Sequence, residues 1–274
     1  MTILDKKSRF TGGLAAILTL MVVGQPTKAA PKATQSVNPL VPMSDPRFRV
    51  GELLYSDNFE HGISQWSSEL ENGGRVEPQK GLLEVDVPQG ATVWWKHELE
   101  GPLLIEYEAQ AVDNKGTNDR VSDLNCFWMA RDVRSLQDLL AYKRSGKFSD
   151  YNQLKTYYVG LGGNGNTTTR FRRYIGDAEK RPLLPEHDLH DKKDLLVPNQ
   201  WQTIQLVASG PLVQFYRDGK RIFEFTDEAP YTSGWFGLRT TSSHLLFRHF
   251  RIFRLEPTES KAVPATTYPV PQTP

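Results

Sequence analysis

Cysteine is almost missing from this chain. Cys126 is the single one in 274 residues, so no internal disulfide can form. Neither sign of charge is in excess: 33 Lys and Arg stand against 32 Asp and Glu, a net +1. That balance offers no bulk attraction for nucleic acid or for an anionic membrane surface. Long apolar runs are also lacking, because the main one, Gly12 to Val23, is too short for a comfortable membrane span. Metal motifs are scarce. Of six histidines, only His187-Asp188-Leu189-His190 approaches ligand spacing; its charged, Pro-rich surroundings, with no further Cys or His group nearby, read as a loop rather than a zinc site. No metal site and no cofactor is expected. Long amphipathic helical patterns are rare, whereas turn signals recur about every eight to fifteen residues, as in an all-β sandwich or barrel.

What is present begins with a leader. Lys6, Lys7 and Arg9 precede the apolar stretch, and Thr27-Lys28-Ala29-Ala30 offers small residues for cleavage. Residues 1–30 therefore read as a secretory signal peptide, with no membrane attachment beyond it. No cysteine directly follows the apolar stretch, which argues against a lipid anchor, and secretion without disulfides fits a bacterial periplasm or exterior. Residues 31–49 are rich in Pro, Thr and Ser and read as a linker; residues 256–274, with Pro257, Pro264, Pro269, Pro271 and Pro274, read as a Pro-rich disordered tail. Residues 50–255 are left as one domain, expected to be monomeric. Roughly 220 residues are enough for one large β core.

The most informative stretch is 157–174. Tyr157 to Leu161 is aromatic and β-branched, Gly162-Gly163-Asn164-Gly165-Asn166 tolerates positive φ, and Thr168 to Tyr174 alternates; the three read as strand, tight turn, strand. If Phe171 points inward, Arg170, Arg172 and Tyr174 share the opposite face, and Tyr158 joins them once Tyr157, Val159 and Leu161 are inward. Two guanidiniums and two phenols then form a surface for an anionic or hydroxyl-rich ligand.

Other strands read clearly. Leu103 to Val112 sets Leu103, Ile105, Tyr107, Ala109 and Ala111 on one face; Trp94 and Trp95 fall on opposite faces; Asn125 to Ala130 is a buried strand. Asp218-Gly219 signals a hairpin, and Gly234–Arg239 and Leu246–Phe253 read as two closing strands. Residues 133–153 hold a short helical candidate, Leu136–Tyr142, and a polar loop. Residues 176–200 form a long loop, expected to join the rim with Leu183 and Leu184 as its apolar anchor. The run from Asn118 to Asn125 is dense in groups that bind hydroxyls or carboxylates. Arg120, Asp123, Asn125, Trp128, Arg144, Lys147, Asn164, Asn166 and His244 are the candidate substrate-binding residues beside Tyr158, Tyr174, Arg170 and Arg172.

Specific motifs now carry a resemblance. W-x-x-I-x-L at 201–206, V-x-F-Y-x-D-G-K-x-I-F at 213–223, G-W-F-G-L-R-T at 234–240 and F-R-H-F-R-I at 247–252 resemble the closing strands of concanavalin A-like jelly rolls. Y-S-D-N-F-E-H-G-I-S-Q-W at 55–66 and G-L-L-E-V-D at 81–86 resemble the first strands of that superfamily of lectins, laminarinase-like hydrolases and alginate-lyase-like enzymes. The segments 118–132, 144–152 and 157–174 are similar to a bacterial family of unknown function related to YesU-like proteins. The resemblance implies an all-β, concanavalin-type jelly-roll sandwich of two antiparallel sheets packed about 10 Å apart, with 118–132 and 144–174 on a concave ligand face. It also implies a plant-wall or acidic polysaccharide as partner, in the setting of pectin or rhamnogalacturonan. A structural calcium ion is compatible with such a sandwich, although no acidic loop has ligand spacing.

The departures are informative. The Glu-x-Asp-x-x-Glu strand of laminarinase-like hydrolases is lacking, since Glu106 and Glu108 have no third acid, and so is the Gln-Ile-His motif of alginate-lyase-like enzymes. Three readings stay open. A polysaccharide lyase would use Arg170 and Arg172 to neutralise a uronate, with Tyr158 or Tyr174 as base or acid and its phenol pKa lowered by the arginines. A glycoside hydrolase would draw two carboxylates from Asp119, Asp123 and Asp150. A non-catalytic protein would bind carbohydrate through the same residues.

Overall fold

A computed structural model of the chain describes residues 37–258. The expected signal peptide at 1–30, the first part of the 31–49 linker and nearly all of the 256–274 tail lie outside the described residues. Within them the chain forms β1 (Phe48–Asp57), β2 (Trp66–Leu70), β3 (Arg75–Gln79), β4 (Leu82–Trp95), β5 (Leu99–Glu100), β6 (Leu103–Ala111) and β7 (Leu124–Asp132). There follow β8 (Leu154–Gly162), β9 (Thr168–Ile175), β10 (Asp188–Leu189), β11 (Gln202–Ser209), β12 (Leu212–Arg217), β13 (Lys220–Thr226) and β14 (Ser233–Pro257). All pairings are antiparallel, in the order β10-β9-β8-β7-β14-β6-β11-β12-β13, with β4 also on β14. The helical candidate Leu136–Tyr142 shrinks to a single 3-10 turn, Leu139–Ala141.

The jelly-roll expectation holds, and β4 and β14 join its two layers into one curled sheet. Two separate strands are expected over Gly234–Arg239 and Leu246–Phe253; instead β14 runs unbroken for 25 residues. Its first part pairs with β7 at Trp235–Arg239, and its later part pairs with β6 at Leu245–Arg254 and with β1. Ser242 and His249 take φ 53 and 54, and the pairing shifts register beside each. Bulges of this kind let one strand turn the corner between layers.

Strict alternation supplies the core between the layers. Tyr157, Val159, Leu161 and Phe171 from β8 and β9 meet Ile105, Tyr107, Ile204, Leu206 and Phe223 from the opposing layer. The Phe171 and Phe223 rings lie 6.0 Å apart across the gap. Each layer also has an outer face. On the β6 side, Met43, Phe48, Val50 and Leu53 cover Leu104, Val207 and Phe253. There the backbone N–H of Leu40 donates to the buried Glu106 carboxylate at 2.8 Å, so the described part of the 31–49 segment is laid against the sheet. On the β8 side, residues 133–153 fold over Trp94, Phe127, Tyr158 and Tyr174. This second outer face carries the candidate site.

Candidate functional site: an arginine-lined pocket on the outer face of β7 to β9

The β8–β9 hairpin builds the pocket floor. Gly162, Asn164, Gly165 and Asn166 all have positive φ, between 54 and 70, which explains the Gly/Asn composition of the turn. Across the hairpin Tyr158 pairs with Arg172 and Gly160 with Arg170. Gly160 leaves room for the Tyr158 ring, since a Cβ there would stand 2.9 Å from the phenolic oxygen. The faces follow the expected alternation: Phe171 is in the core, while Arg170, Arg172, Tyr174 and Tyr158 open onto a cavity of about 350 Å³.

Charge in this cavity is one-sided. Arg120, Arg170, Arg172 and Arg181 line it, against one acid, Asp123. Arg170 is held by Asp188 in a two-point ion pair at 2.6 and 3.1 Å. Arg172 donates to the backbone carbonyl of Arg181 and has no carboxylate partner among the described residues. Burial, then the nearby Arg181 and Arg170 charges, hold the Arg172 guanidinium below its ordinary pKa. Asn164, Phe148 and Thr241 complete the wall.

Sequence reasoning missed the arginine beneath this floor. Arg239, on β14, pairs with Asn125 of β7, is buried, and stacks its guanidinium 4.7 Å from the Tyr151 ring centroid. Its Nη1 donates to the Gly146 carbonyl at 2.6 Å and to the Thr92 hydroxyl at 3.1 Å. Its Nε and Nη2, the Asn125 Oδ1 and the Tyr174 hydroxyl are buried without a hydrogen-bond partner among the described residues. Arg181 and Phe148 were missed too, because both sit on loops whose approach to the sheet no local pattern encodes.

The two tyrosines behave differently from expectation. Burial, ahead of every other influence, pushes the phenols of Tyr158 and Tyr174 above their ordinary pKa; Arg181, Arg172 and Arg239 pull Tyr174 down without reversing the shift. The arginines therefore do not create a phenolate.

A family model settles kinship. The one described as Domain of unknown function (DUF6250) matches residues 85–250, from β4 to β14. The chain belongs to the DUF6250 family. No curated protein matches it. Among solved structures, a protein of unknown function with galectin-like fold from Bacillus subtilis is 16% identical with TM-score 0.60, covering 77% of this chain and all (100%) of its own. Beta-agarase A from Zobellia galactanivorans is 10% identical with TM-score 0.52, covering 81% of this chain and 98% of its own. LamA from Z. galactanivorans, in complex with laminaritriose and laminaritetraose, is 10% identical with TM-score 0.50, covering 75% and 100%. These likenesses establish the fold.

Several expected site residues of this DUF6250 chain lie elsewhere. Trp128 is fully buried between the layers, 5.6 Å from the Tyr157 ring, so it is core and not a sugar platform. Arg144 is a strut: its side chain is 0% exposed, with Nη1 2.9 Å from Asp132 and Nε 3.0 Å from Glu69. Asn166 clasps the backbone of Leu196 at 2.9 and 3.0 Å, fastening the loop end. Lys147 is exposed and does not line the cavity. Asn125 is buried and does not line the cavity, but its amide is 3.3 Å from Asp123, which does. His244 is on the outer face of the other layer, between Asp119 and Glu84. Asp150 is capped by the Ser145 hydroxyl and N–H. The 176–200 loop does reach the rim through Arg181 and Asp188, but Leu184 is exposed; Leu189, Leu196 and His187 anchor the loop instead.

A larger cleft of about 570 Å³ lies beside β1 and the bulge at His249. Most of its charged groups face a partner: Asp57 accepts from the Trp66 indole at 2.9 Å, Arg251 lies 2.9 Å from Glu106 and His249 2.7 Å from Glu108. The arginine pocket is the better candidate because four guanidiniums line it against a single carboxylate.

Proposed function

We propose that this protein is a secreted bacterial protein that binds an acidic saccharide through the arginine pocket. One observation carries the reading: four guanidiniums and one carboxylate surround about 350 Å³, and Arg172 has no acid of its own among the described residues. Planar guanidiniums match carboxylates in two-point hydrogen bonds, and phenols and amides match sugar hydroxyls. The volume is at the small-ligand end of the usual range. Folds like this one carry the names of an agarase and of a protein solved with laminari-oligosaccharides, which supports a saccharide as the ligand class. The resemblance to YesU-like proteins suggests a uronate-bearing pectin or rhamnogalacturonan fragment.

Binding is favoured over turnover. A retaining or inverting hydrolase needs two carboxylates about 5 to 10 Å apart, and Asp123 is the one acid lining the cavity, Asp119 and Asp150 being engaged elsewhere. A lyase using Tyr158 or Tyr174 as base would need a phenolate that burial opposes. The test is calorimetric titration with galacturonate oligomers and with neutral galactose oligomers, while recording the absorbance of any unsaturated uronate product. Binding confined to the acidic oligomers, without product, supports the proposal. Equal affinity for the neutral oligomers removes it, and product formation replaces a binder by a lyase.

A further inference from the structure

Beyond the pocket, the outer face of the other layer gathers a second set of groups. β4 presents Glu84 and Asp86 there, and β14 presents His244 directly across from Asp86. One ligand atom from each of these three residues lies within 4.8 Å of the others. Asp119, on the loop between β6 and β7, accepts from the backbone N–H groups of Asn114 and Gly116 at 2.7 and 2.9 Å. Its other oxygen stands 2.8 Å from His244 Nδ1.

This arrangement aims the imidazole. With Nδ1 turned to the fixed Asp119 carboxylate, Nε2 faces Glu84. Nε2 is 2.9 Å from Glu84 Oε1 yet lacks the alignment of a hydrogen bond. Glu84 is 5% exposed, and its Oε2 is buried with no partner among the described residues.

We propose that Glu84, Asp86 and His244 bind a divalent transition-metal ion of the zinc type, with Asp119 as the positioning residue for His244. One imidazole and two carboxylates suit such an ion, and calcium would prefer an all-oxygen set. Zinc needs donors about 2 Å from the metal, hence about 3.4 Å from one another, which small side-chain rotations reach. Asp86 is steadied by the Asn118 amide at 2.8 Å. Arg75, on β3, now covers the mouth: its Nη2 is 2.8 Å from Asp86 and 3.5 Å from Glu84. Its side chain is 55% exposed, so it can swing away at little cost. The ion would tie β4, β14 and the 113–123 loop together.

The experiment titrates the full chain with Zn²⁺ and, separately, Ca²⁺, with calorimetry, metal analysis after dialysis and ¹⁵N imidazole shifts. One zinc per chain with a metal-bound Nε2 is expected. His244→Gln and Asp86→Asn should abolish it while circular dichroism shows the fold intact, Asp119→Asn should weaken it about ten- to a hundredfold, and Arg75→Gln should tighten it. No stoichiometric zinc in either the parent or Arg75→Gln overturns the site. So does a protonated, metal-free Nε2 at saturating zinc, or calcium bound in preference to zinc.

Discussion

The phenol of Tyr158 fills the space that a side chain at Gly160 would need, two residues along the same strand face: a Cβ at Gly160 would lie 2.9 Å from that oxygen. Gly160→Ala should therefore displace the Tyr158 ring into the cavity. Overpacking of this kind costs about 1–3 kcal/mol. We expect a folded protein with a lower urea midpoint and weakened acidic-saccharide binding. Unchanged binding would show that Tyr158 does not shape the ligand's seat.

Arg172→Lys keeps the charge and loses the planar fork. Hydrogen bonds to charged groups contribute about 1.5–3 kcal/mol, so affinity for a galacturonate oligomer should fall roughly ten- to a hundredfold by calorimetry. The melting temperature should hardly move, because Arg172 has a backbone carbonyl as partner and no ion pair among the described residues. A large drop in melting temperature with binding spared would make Arg172 a structural strut.

Arg144→Met should do the reverse. Removing it leaves the buried Asp132 carboxylate to Arg134 alone and leaves Glu69 with only the Trp94 indole and the Tyr151 hydroxyl. Breaking a buried pair from one side costs up to about 3–5 kcal/mol; the partners that remain reduce this, and segment 133–153 should loosen over Phe127 and Tyr158 first. Hydrogen exchange resolved by segment would detect this; uniform protection equal to the parent's would refute it.

The same network predicts acid sensitivity. Burial alone would raise the Asp132 carboxyl, but Arg134 and then Arg144 hold it below its ordinary 3.8. A lowered folded-state pKa contributes stability above the unfolded value, and that contribution is lost as pH falls through the folded one. Asp132→Asn should be less stable at neutral pH and show a shallower loss of stability below about pH 4. Parallel acid profiles for variant and parent would exclude Asp132 as a source.

Burial pushes the Cys126 thiol up from 9.0 to about 12. Its raised value contributes stability that is whole below pH 9 and lost as pH rises toward about 12. A disulfide reagent at mildly alkaline pH should label Cys126 only as fast as the protein unfolds. Rapid labelling of the native chain would mean that the layers open locally around β7.

Alternation along single strands was legible because side chains in a strand point to opposite faces by geometry alone. Phe171 inward with Arg170, Arg172 and Tyr174 outward, Trp95 inward with Trp94 outward, and the apolar face of Leu103 to Ala111 all follow from that period. The Gly/Asn turn at 162–166 was legible because few other residues accept its positive φ. Tertiary structure decided the rest. Asn125 and Trp128 share a strand, but the first turns to Asp123 and the second to the core, and Arg144 resembles the pocket-lining arginines in sequence while being spent on Glu69 and Asp132. β14 passes from one layer to the other at bulges that no hydrophobic pattern announced, and this sends Arg239 beneath the pocket and His244, beyond the bulge, to Asp119 and Glu84. A residue's own neighbours in sequence set which face it occupies. Which distant charges meet it there depends on how the loops and corners close, and that is where the free energy of pairing or stranding a buried charge is decided.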